Sequence, residues 1–327
     1  MKDHIAIIGA GAWGTALAIQ AHRAGQRVML WGRDPARAML MQQSRANERL
    51  LPGITLPDGI SITADARQAL DAAALILLVV PAQALRPVLH NLPKLPAPVL
   101  ICSKGVEAGS LMLPLEILSA THPDAIAGVL SGPNFAHEIA RGLPAAAVVA
   151  SHDAGLRVLG VARLGSAGFR LYGGDDPVGA EIGGAAKNVI AIAAGAVMGA
   201  GLGENARAAL ITRGLAEIAR LASALGGRAD TVAGLSGLGD LLLTATGAGS
   251  RNTSLGMALG RGESLADILA ARQGVTEGVA TAPALVARAA SLGVEIPICA
   301  AVAALVSGKL SVQQAVSQLL ARPQRDE

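Results

Sequence analysis

The sequence has few aromatic side chains, few charges and almost no cysteine. Only 2% of its 327 residues are Phe, Trp or Tyr, and only 16% are charged. Two cysteines, Cys102 and Cys299, are too few for the disulfide framework of a small secreted domain. The segment after Met1 enters an apolar strand pattern directly, without the regions of a signal peptide. We therefore expect a reducing, cytoplasmic setting.

Long apolar runs and clusters of basic residues are also missing. The mean hydropathy is +0.47, which raises the question of a membrane. However, the charge-free run at 189–203 is rich in small residues, and a spanning helix needs about 20 apolar residues. The net charge of +3 comes without a Lys/Arg run or interleaved aromatics. These features predict neither stable membrane insertion nor nucleic-acid binding.

The first strong pattern is the segment "HIAIIGAGAWGTALAIQAHRAGQRVMLW", residues 4–31. An apolar strand, a glycine turn, a helix and a second strand follow one another, as in a βαβ unit. Gly9 permits the tight turn, Gly11 lets the backbone approach a pyrophosphate, and Gly14 lets helix and strand pack closely. The helix N-terminus would then bind the phosphates. The spacing predicts a dinucleotide site, with a glycine-rich turn of another α/β protein as the alternative.

The end of the second strand bears on which dinucleotide is bound. NAD-binding folds commonly carry an acidic residue here that holds the ribose hydroxyls. This chain instead has Gly32 and Arg33, which leave room for a 2′-phosphate and offer it a cation. Asp34 either holds the ribose or caps a helix that begins at Pro35. The pattern favours NADPH and leaves NADH open.

The remaining pattern indicates two domains. Apolar runs at 74–81, 98–105, 127–135 and 145–151 are typical of buried parallel strands, whereas helical periods dominate after about residue 177. We predict an α/β Rossmann-type N-terminal domain with a mostly parallel sheet at residues 1–178. An all-α C-terminal domain at residues 179–327 would follow it.

Several polar groups follow the predicted strands. Lys104 comes after one strand, and Gly132 and Asn134 come after the next. Ligands of open α/β sheets bind outside the carboxyl ends of the strands. These residues are therefore candidates for a ligand site, although an ordinary solvated loop lysine would give the same pattern at Lys104.

The stretch "GGAAKNVIAI", residues 183–192, places Lys187 among small and apolar residues near the start of a long predicted helix. One interpretation is a lysine at a helix end whose amine reaches water. The other is a lysine facing the cleft between the domains, where partial burial lowers its pKa. Such a lysine is suited to act as general acid and base in an alcohol-to-ketone oxidation.

The segment "GLSGLGDLLLTATGAGSRN", residues 234–252, is unusual for a helical bundle. Asp240 follows a glycine turn. It either caps a helix or, in a cleft, pairs with Lys187 or holds a substrate hydroxyl. Ser250, Arg251 and Asn252 form a run of donors after glycines, and arginine suits multi-donor recognition of phosphate. Glu277 stands among small residues as a ligand group or as a carboxylate at a helix start.

Together these segments resemble the bacterial type of NAD(P)-dependent glycerol-3-phosphate dehydrogenase over almost the whole chain. The similarity lies in "GAGAWGTALA", "SGPNFAHEIARGLPAA", "AAKNVIAIAAG", "NARAALITRGLAEIARL", "GLSGLGDLLLTATGAGSRN" and "VTEGVATA". The resemblance implies interconversion of sn-glycerol 3-phosphate and dihydroxyacetone phosphate, which supplies phospholipid synthesis. It also implies that Lys187 is the proton acceptor in oxidation and the donor in reduction.

The resemblance further implies two sets of binding residues. The substrate set is Lys104, Gly132, Asn134, Lys187, Asp240, Ser250, Arg251 and Asn252. The cofactor set is Gly9, Gly11, Ala12, Trp13, Gly14, Arg33, Lys104, Ala136, Arg251, Val275 and Glu277. No metal is expected, and a homodimer is plausible from the frequency of such oligomers.

The sequence departs from the family pattern at a few positions. Asn134 stands where many members have Ser, and Glu204 stands where Asp is more usual. Asn can still donate and accept hydrogen bonds. The alternatives are another two-domain dehydrogenase, such as a β-hydroxyacid or 6-phosphogluconate dehydrogenase, and a dinucleotide sensor without catalysis.

Overall fold

The N-terminal part of the protein is a single large sheet with helices on both faces. A computed structural model describes residues 3–247, 249–272 and 275–323. The strands are β1 His4–Ile8, β2 Arg27–Trp31, β3 Ala46–Asn47, β4 Leu51–Thr55, β5 Ile60–Thr63, β6 Ala73–Leu78, β7 Val99–Ile101, β8 Ala127–Ser131, β9 Ala145–Ala150 and β10 Phe169–Gly174. The helices of this part are α1 Ala12–Arg23, α2 Pro35–Ser44, α3 Ala66–Leu70, α4 Ala82–Asn91, α5 Pro114–Thr121, α6 Ala136–Arg141 and α7 Ala154–Leu164.

The strands are apolar on both faces because both faces are covered. In β1, Ile5 and Ile7 join the core on one side of the sheet, and Ala6 and Ile8 join the core on the other. All four residues are fully buried. This is why the strands read as continuous apolar runs rather than as alternating patterns.

The strand order is β10-β9-β8-β7-β6-β1-β2-β5. All pairs are parallel except β8 with β9, so the predicted mostly parallel sheet is confirmed. From β1 the chain builds outward through β2 to β5 and then crosses to β6 on the other side. The order reverses between β1 and β6, where ligands bind in open α/β sheets.

Beyond Gly174 the described residues form helices and no strand. These helices are α8 Pro177–Gly199, α9 Gly203–Ala224, α10 Ala229–Ala233, a π-helical turn Leu235–Gly239, α11 Asp240–Thr246, α12 Arg251–Gly260, α13 Leu265–Ala270, α14 Glu277–Ser291, α15 Pro297–Val306 and α16 Val312–Leu320. The helical C-terminal part is therefore confirmed. Ala248, within the segment "GLSGLGDLLLTATGAGSRN", and Gln273 and Gly274, directly before "VTEGVATA", lie outside the described residues.

Helix α8 is the centre of the helical part. Its length and apolar composition would allow it to cross a membrane, although no such segment was predicted from the sequence. In the fold, 89% of its most apolar window is buried among other elements. A core helix passes the same test of length and composition, and the packing of α8 is that of a core helix.

Glycines bring α12 unusually close to α8. A Cβ added at Gly195 would lie 2.1 Å from the carbonyl oxygen of Thr253, and one at Gly256 would lie 2.0 Å from that of Ile192. Such distances are far shorter than any van der Waals contact, so neither position accepts a side chain without separating the helices. The glycines of α8 therefore have a packing function that outweighs their cost to the helix, about 1 kcal/mol each.

Three features of the fold were not expected from the sequence. Strand β5 extends the sheet at one edge, and β10 extends it at the other. A short antiparallel hairpin, β3 with β4, lies between α2 and β5. The sequence of β4, "LPGIT", contains both Pro and Gly, which disfavour strands in the interior of a sheet.

Candidate active site

The glycine turn between β1 and α1 has the geometry of a phosphate-binding turn. Gly9 has a φ of +127°, and a Cβ there would lie 2.5 Å from the carbonyl oxygen of Val79. A Cβ at Gly14 would lie 1.8 Å from the carbonyl oxygen of Gly9. At Gly11, by contrast, a Cβ would meet nothing within 4 Å. The first and third glycines thus serve the packing, and the second leaves open space beside the helix N-terminus, as a pyrophosphate requires.

The residues after β2 are arranged around a helix cap. The carboxylate of Asp34 accepts hydrogen bonds from the backbone N–H groups of Ala36 and Arg37, at 3.0 and 3.2 Å. Asp34 is therefore the N-cap of α2, which is one of the two interpretations of its sequence position. The Arg33 side chain is exposed beside it. This arrangement leaves a cation, rather than a free carboxylate, at the end of the strand.

A second arginine, which sequence reasoning missed, lies against the glycine turn. Arg37 donates to the carbonyl oxygen of Ala10 and to Oδ1 of Asn47, both at 2.9 Å. Its pKa is lowered, first by burial and then by the nearby charge of Arg49. Two neighbouring guanidinium groups repel each other, and an anion between them would relieve that repulsion.

Lys187 lies in the middle of α8 and not near its start, which corrects the sequence expectation. The helix begins at Pro177, ten residues earlier, because Asp176 caps it. Lys187 is only 7% exposed. A lysine at this depth cannot extend its amine to bulk water, so the interpretation as a lysine at a helix end is wrong. The ammonium must be compensated inside the protein.

The compensation comes from Asp240, which lies between two lysines. Nζ of Lys187 donates to Oδ1 of Asp240, and Nζ of Lys104 donates to Oδ2 at 2.5 Å. Asp240 is completely buried. Lys104 also reaches the carbonyl oxygen of Gly132 at 3.5 Å. One carboxylate thus joins the carboxyl end of β7 to helices α8 and α11.

The π-helical turn Leu235–Gly239 holds Asp240 in this position. A Cβ at Gly237 would lie 1.9 Å from the carbonyl oxygen of Val232, and one at Gly183 would lie 2.5 Å from that of Ser236. The turn is therefore packed tightly against both α10 and α8. Single π-helical turns are frequent at functional sites. The irregular "GLSGLGD" sequence therefore forms this π-helical turn.

Burial changes the acid–base behaviour of Lys187. Desolvation lowers its pKa to about 8, and the charge of Lys104 acts in the same direction. Asp240 acts in the opposite direction but does not cancel the effect of burial. A lysine in this range exchanges its proton near neutral pH, which is the property required of a general acid and base.

The run Ser250, Arg251 and Asn252 forms the start of α12. Ser250 is the N-cap, and its hydroxyl accepts from the N–H of Thr253 at 3.1 Å. Arg251 is exposed in the first turn of the helix. A guanidinium beside the free N–H groups of a helix start is well suited to bind a phosphate.

Asn252 is buried and bonded on both sides. Its amide donates to Oδ1 of Asn188 at 2.9 Å, and its oxygen accepts from the N–H of Gly278 at 3.1 Å. No function was predicted for Asn188 from the sequence. An amide side chain beside Lys187, in a run of otherwise small and apolar residues, was the available signal. The pair ties α8, α12 and the start of α14 together.

The residues after β8 face the same cleft. Gly132 has a φ of +153°, and a Cβ there would lie 2.8 Å from Cα of Ala147. The Asn134 amide donates to the carbonyl oxygen of Ala146 at 3.3 Å, while its Oδ1 is buried without a hydrogen-bond partner among the described residues. An unpaired buried acceptor at this position is available to a ligand.

The other cofactor candidates surround the glycine turn and the lysine pair. Ala12 and Trp13 open α1, Ala136 opens α6, which packs against α1, and Val275 is half exposed before α14. Glu277 opens α14. Burial raises its pKa, while Arg251, Lys104 and Lys187 lower it. The structure therefore brings Glu277 into the same electrostatic environment as the three cations.

Comparison with known proteins agrees with this geometry. A family model described as the N-terminus of NAD-dependent glycerol-3-phosphate dehydrogenase matches residues 4–156, and one for the C-terminus matches residues 176–317. The chain belongs to the NAD-dependent glycerol-3-phosphate dehydrogenase family. The resemblance found in the sequence is thereby confirmed, and the nicotinamide dependence of the family applies.

Curated relatives match over the full length. Glycerol-3-phosphate dehydrogenase [NAD(P)+] of Rhodospirillum rubrum is 54% identical over 99% of this chain and 94% of its own. The protein of the same name from Gluconobacter oxydans is 52% identical, covering 98% of each chain. Among solved structures, glycerol-3-phosphate dehydrogenase of Coxiella burnetii has a TM-score of 0.93 and 38% identity, covering 98% of this chain and all of its own.

Proposed function

We propose that this protein interconverts dihydroxyacetone phosphate and sn-glycerol 3-phosphate, with Lys187 as general acid and base. The observation that carries the proposal is the buried Lys187–Asp240–Lys104 arrangement at the carboxyl ends of the strands. The glycerol 3-phosphate produced would serve phospholipid synthesis.

The chain's own residues account for the proton transfer. When bound, the reduced nicotinamide supplies the hydride for the ketone carbon. Lys187 then donates its proton to the ketone oxygen as negative charge develops there, and it takes the proton back in the oxidation. Asp240 fixes the lysine amine, and Lys104 offers a second positive charge beside the oxygen.

The phosphate of the substrate would bind at the start of α12. Arg251 supplies the charge, and the backbone N–H groups of the first turn supply further donors. This binding energy is remote from the reacting carbon and orients a small molecule over the lysine. A ketone without the phosphate should therefore lose rate as well as affinity.

NADPH is the cofactor that the surroundings of β2 favour. Arg33 is exposed at the strand end, Arg37 contacts the glycine turn, and the carboxylate of Asp34 is occupied as a helix cap. The turn shaped by Gly9 and Gly14 would hold the pyrophosphate beside Gly11, and the arginines would hold a 2′-phosphate. Fluorescence titration with NADPH and NADH tests this preference directly.

The reaction is tested by NADPH absorbance with dihydroxyacetone phosphate and with unphosphorylated dihydroxyacetone. NADPH should be oxidised rapidly only with the phosphorylated ketone. The substitution Lys187→Met should reduce kcat by about 10²- to 10⁴-fold. Lys309→Met, the same change at an exposed lysine, should leave kcat unchanged. A folded protein that binds NADPH but turns over neither ketone would instead support a dinucleotide sensor.

A further inference from the structure

Ser131 carries a buried hydroxyl that the fold does not use. It is the last residue of β8 and is 4% exposed. Its Oγ has no hydrogen-bond partner among the described residues. Two other buried serines, close to strand ends, are different. The Ser103 hydroxyl donates to the carbonyl oxygen of Val80 at 2.6 Å, and the Ser151 hydroxyl donates to that of Ala127 at 2.7 Å. Buried hydroxyls without partners are uncommon and need an explanation.

The position of this hydroxyl is inside the candidate active site. A Cβ at Gly184 would lie 3.2 Å from Oγ of Ser131 and 3.4 Å from Cγ of Lys104. The Ser131 hydroxyl and the Lys104 alkyl chain therefore both pack against Gly184 of α8, one turn before Lys187. The Lys104 side chain is 17% exposed and bonded to Asp240, so the point that it shares with Ser131 lies beside the ion-pair cluster of the site.

The polar groups of the substrate can be assigned by elimination. The phosphate requires cations and N–H donors, which the start of α12 provides. The ketone oxygen requires the proton of Lys187. The free hydroxyl on the terminal carbon remains. Both oxygens of Asp240 are bonded to lysines, and the unpaired Oδ1 of Asn134 can only accept. The Ser131 hydroxyl both donates and accepts, which makes it a suitable partner.

We propose that Ser131 is a substrate-binding residue that hydrogen-bonds the free hydroxyl of the three-carbon phosphate. This inference rests on the proposed function and adds a specificity-determining residue to it. Ser131 would distinguish dihydroxyacetone phosphate from the ketone in which this hydroxyl is replaced by hydrogen, because the analogue leaves the buried serine unpaired.

The test combines Ser131→Ala with hydroxyacetone phosphate, the ketone that lacks the terminal hydroxyl. For dihydroxyacetone phosphate, the variant should lower kcat/KM about tenfold, the effect of one hydrogen bond. For hydroxyacetone phosphate, kcat/KM should be the same in both proteins. The melting temperature of the variant should equal or exceed that of the unchanged protein, because no bond of the fold is lost.

The matched control is Ser151→Ala, which removes a bonded hydroxyl directly after β9. It should lower the melting temperature and leave the preference between the two ketones unchanged. Equal losses on both ketones, no loss on either, or a lower melting temperature in Ser131→Ala would each overturn the inference. Failure of the unchanged protein to reduce dihydroxyacetone phosphate would instead refute the proposed function.

Discussion

Replacement of Gly11 by alanine should separate cofactor binding from folding. Gly11 is the N-cap of α1 with φ −75° and ψ −179°, a conformation open to any residue, and nothing lies within 4 Å of an added Cβ. Alanine restricts the unfolded chain, which stabilises by about 0.4–1 kcal/mol. It is a poorer N-cap by a similar amount. These effects offset each other, so the free energy of unfolding should change by less than about 0.5 kcal/mol.

The same methyl group would occupy the space through which a pyrophosphate approaches the α1 N-terminus. Loss of one hydrogen bond to a charged group, about 1.5–3 kcal/mol, corresponds to an increase of about 10- to 100-fold in the dissociation constant. Thermal unfolding without cofactor and NADPH fluorescence titration measure the two quantities on one sample. The expected result is a normal melting curve with greatly weakened NADPH binding.

Gly14→Ala is the matched control for Gly11→Ala. Its Cβ would lie 1.8 Å from the carbonyl oxygen of Gly9, so the helix and the turn must separate. Overpacking of this kind costs about 1–3 kcal/mol, and the melting temperature should fall. If Gly11→Ala bound NADPH normally, the pyrophosphate would not lie at this turn, and the glycine pattern would be a packing feature only.

Two further predictions concern pH. With the pKa of Lys187 at about 8, its protonated form declines as pH rises through 8. The kcat for ketone reduction should therefore fall over this range, and the kcat for alcohol oxidation should rise. Profiles of kcat against pH that are flat in both directions would contradict the role of Lys187. Glu181 is buried with its carboxyl accepting from the N–H of Leu115, and burial raises its pKa from 4.5 to about 8. Because the folded state holds this proton more tightly than the unfolded state, stability should fall from pH 4.5 to 8, by an amount on the order of a few kcal/mol. Denaturant titrations at pH 6 and 8.5 should show a smaller loss in Glu181→Gln, and equal losses in both proteins would refute this assignment.

The parts of the site that are local in sequence could be predicted. The glycine turn is complete within six residues, and each glycine has its own steric reason. The burial of Lys187 was one of two interpretations that its mostly small and apolar neighbours allowed, and the structure shows it buried. Pairing with Lys187 was one of three interpretations of Asp240, and the structure shows this pairing.

Other parts depend on contacts between distant segments. Lys104 lies 136 residues before Asp240, and its sequence context is equally compatible with an exposed loop. The predicted position of Lys187 near the start of its helix was wrong, because the many glycines of this segment gave no clear signal for the first residue of α8. Edge strand β10, "FRLYGG", alternates in exposure and ends in two glycines, so its pairing with β9 decides its structure more than its composition does.

The small residues of α8 explain how one helix can position so many groups. Gly183 admits the π-helical turn that carries Asp240, Gly184 admits Ser131 and Lys104, and Gly195 admits α12. A larger residue at any of these positions would move a different part of the site away from Lys187. The helix is weakened by each glycine, but it is surrounded by packed elements that compensate for the loss. The low helix propensity of this segment is therefore a consequence of bringing three other elements within reach of one buried amine.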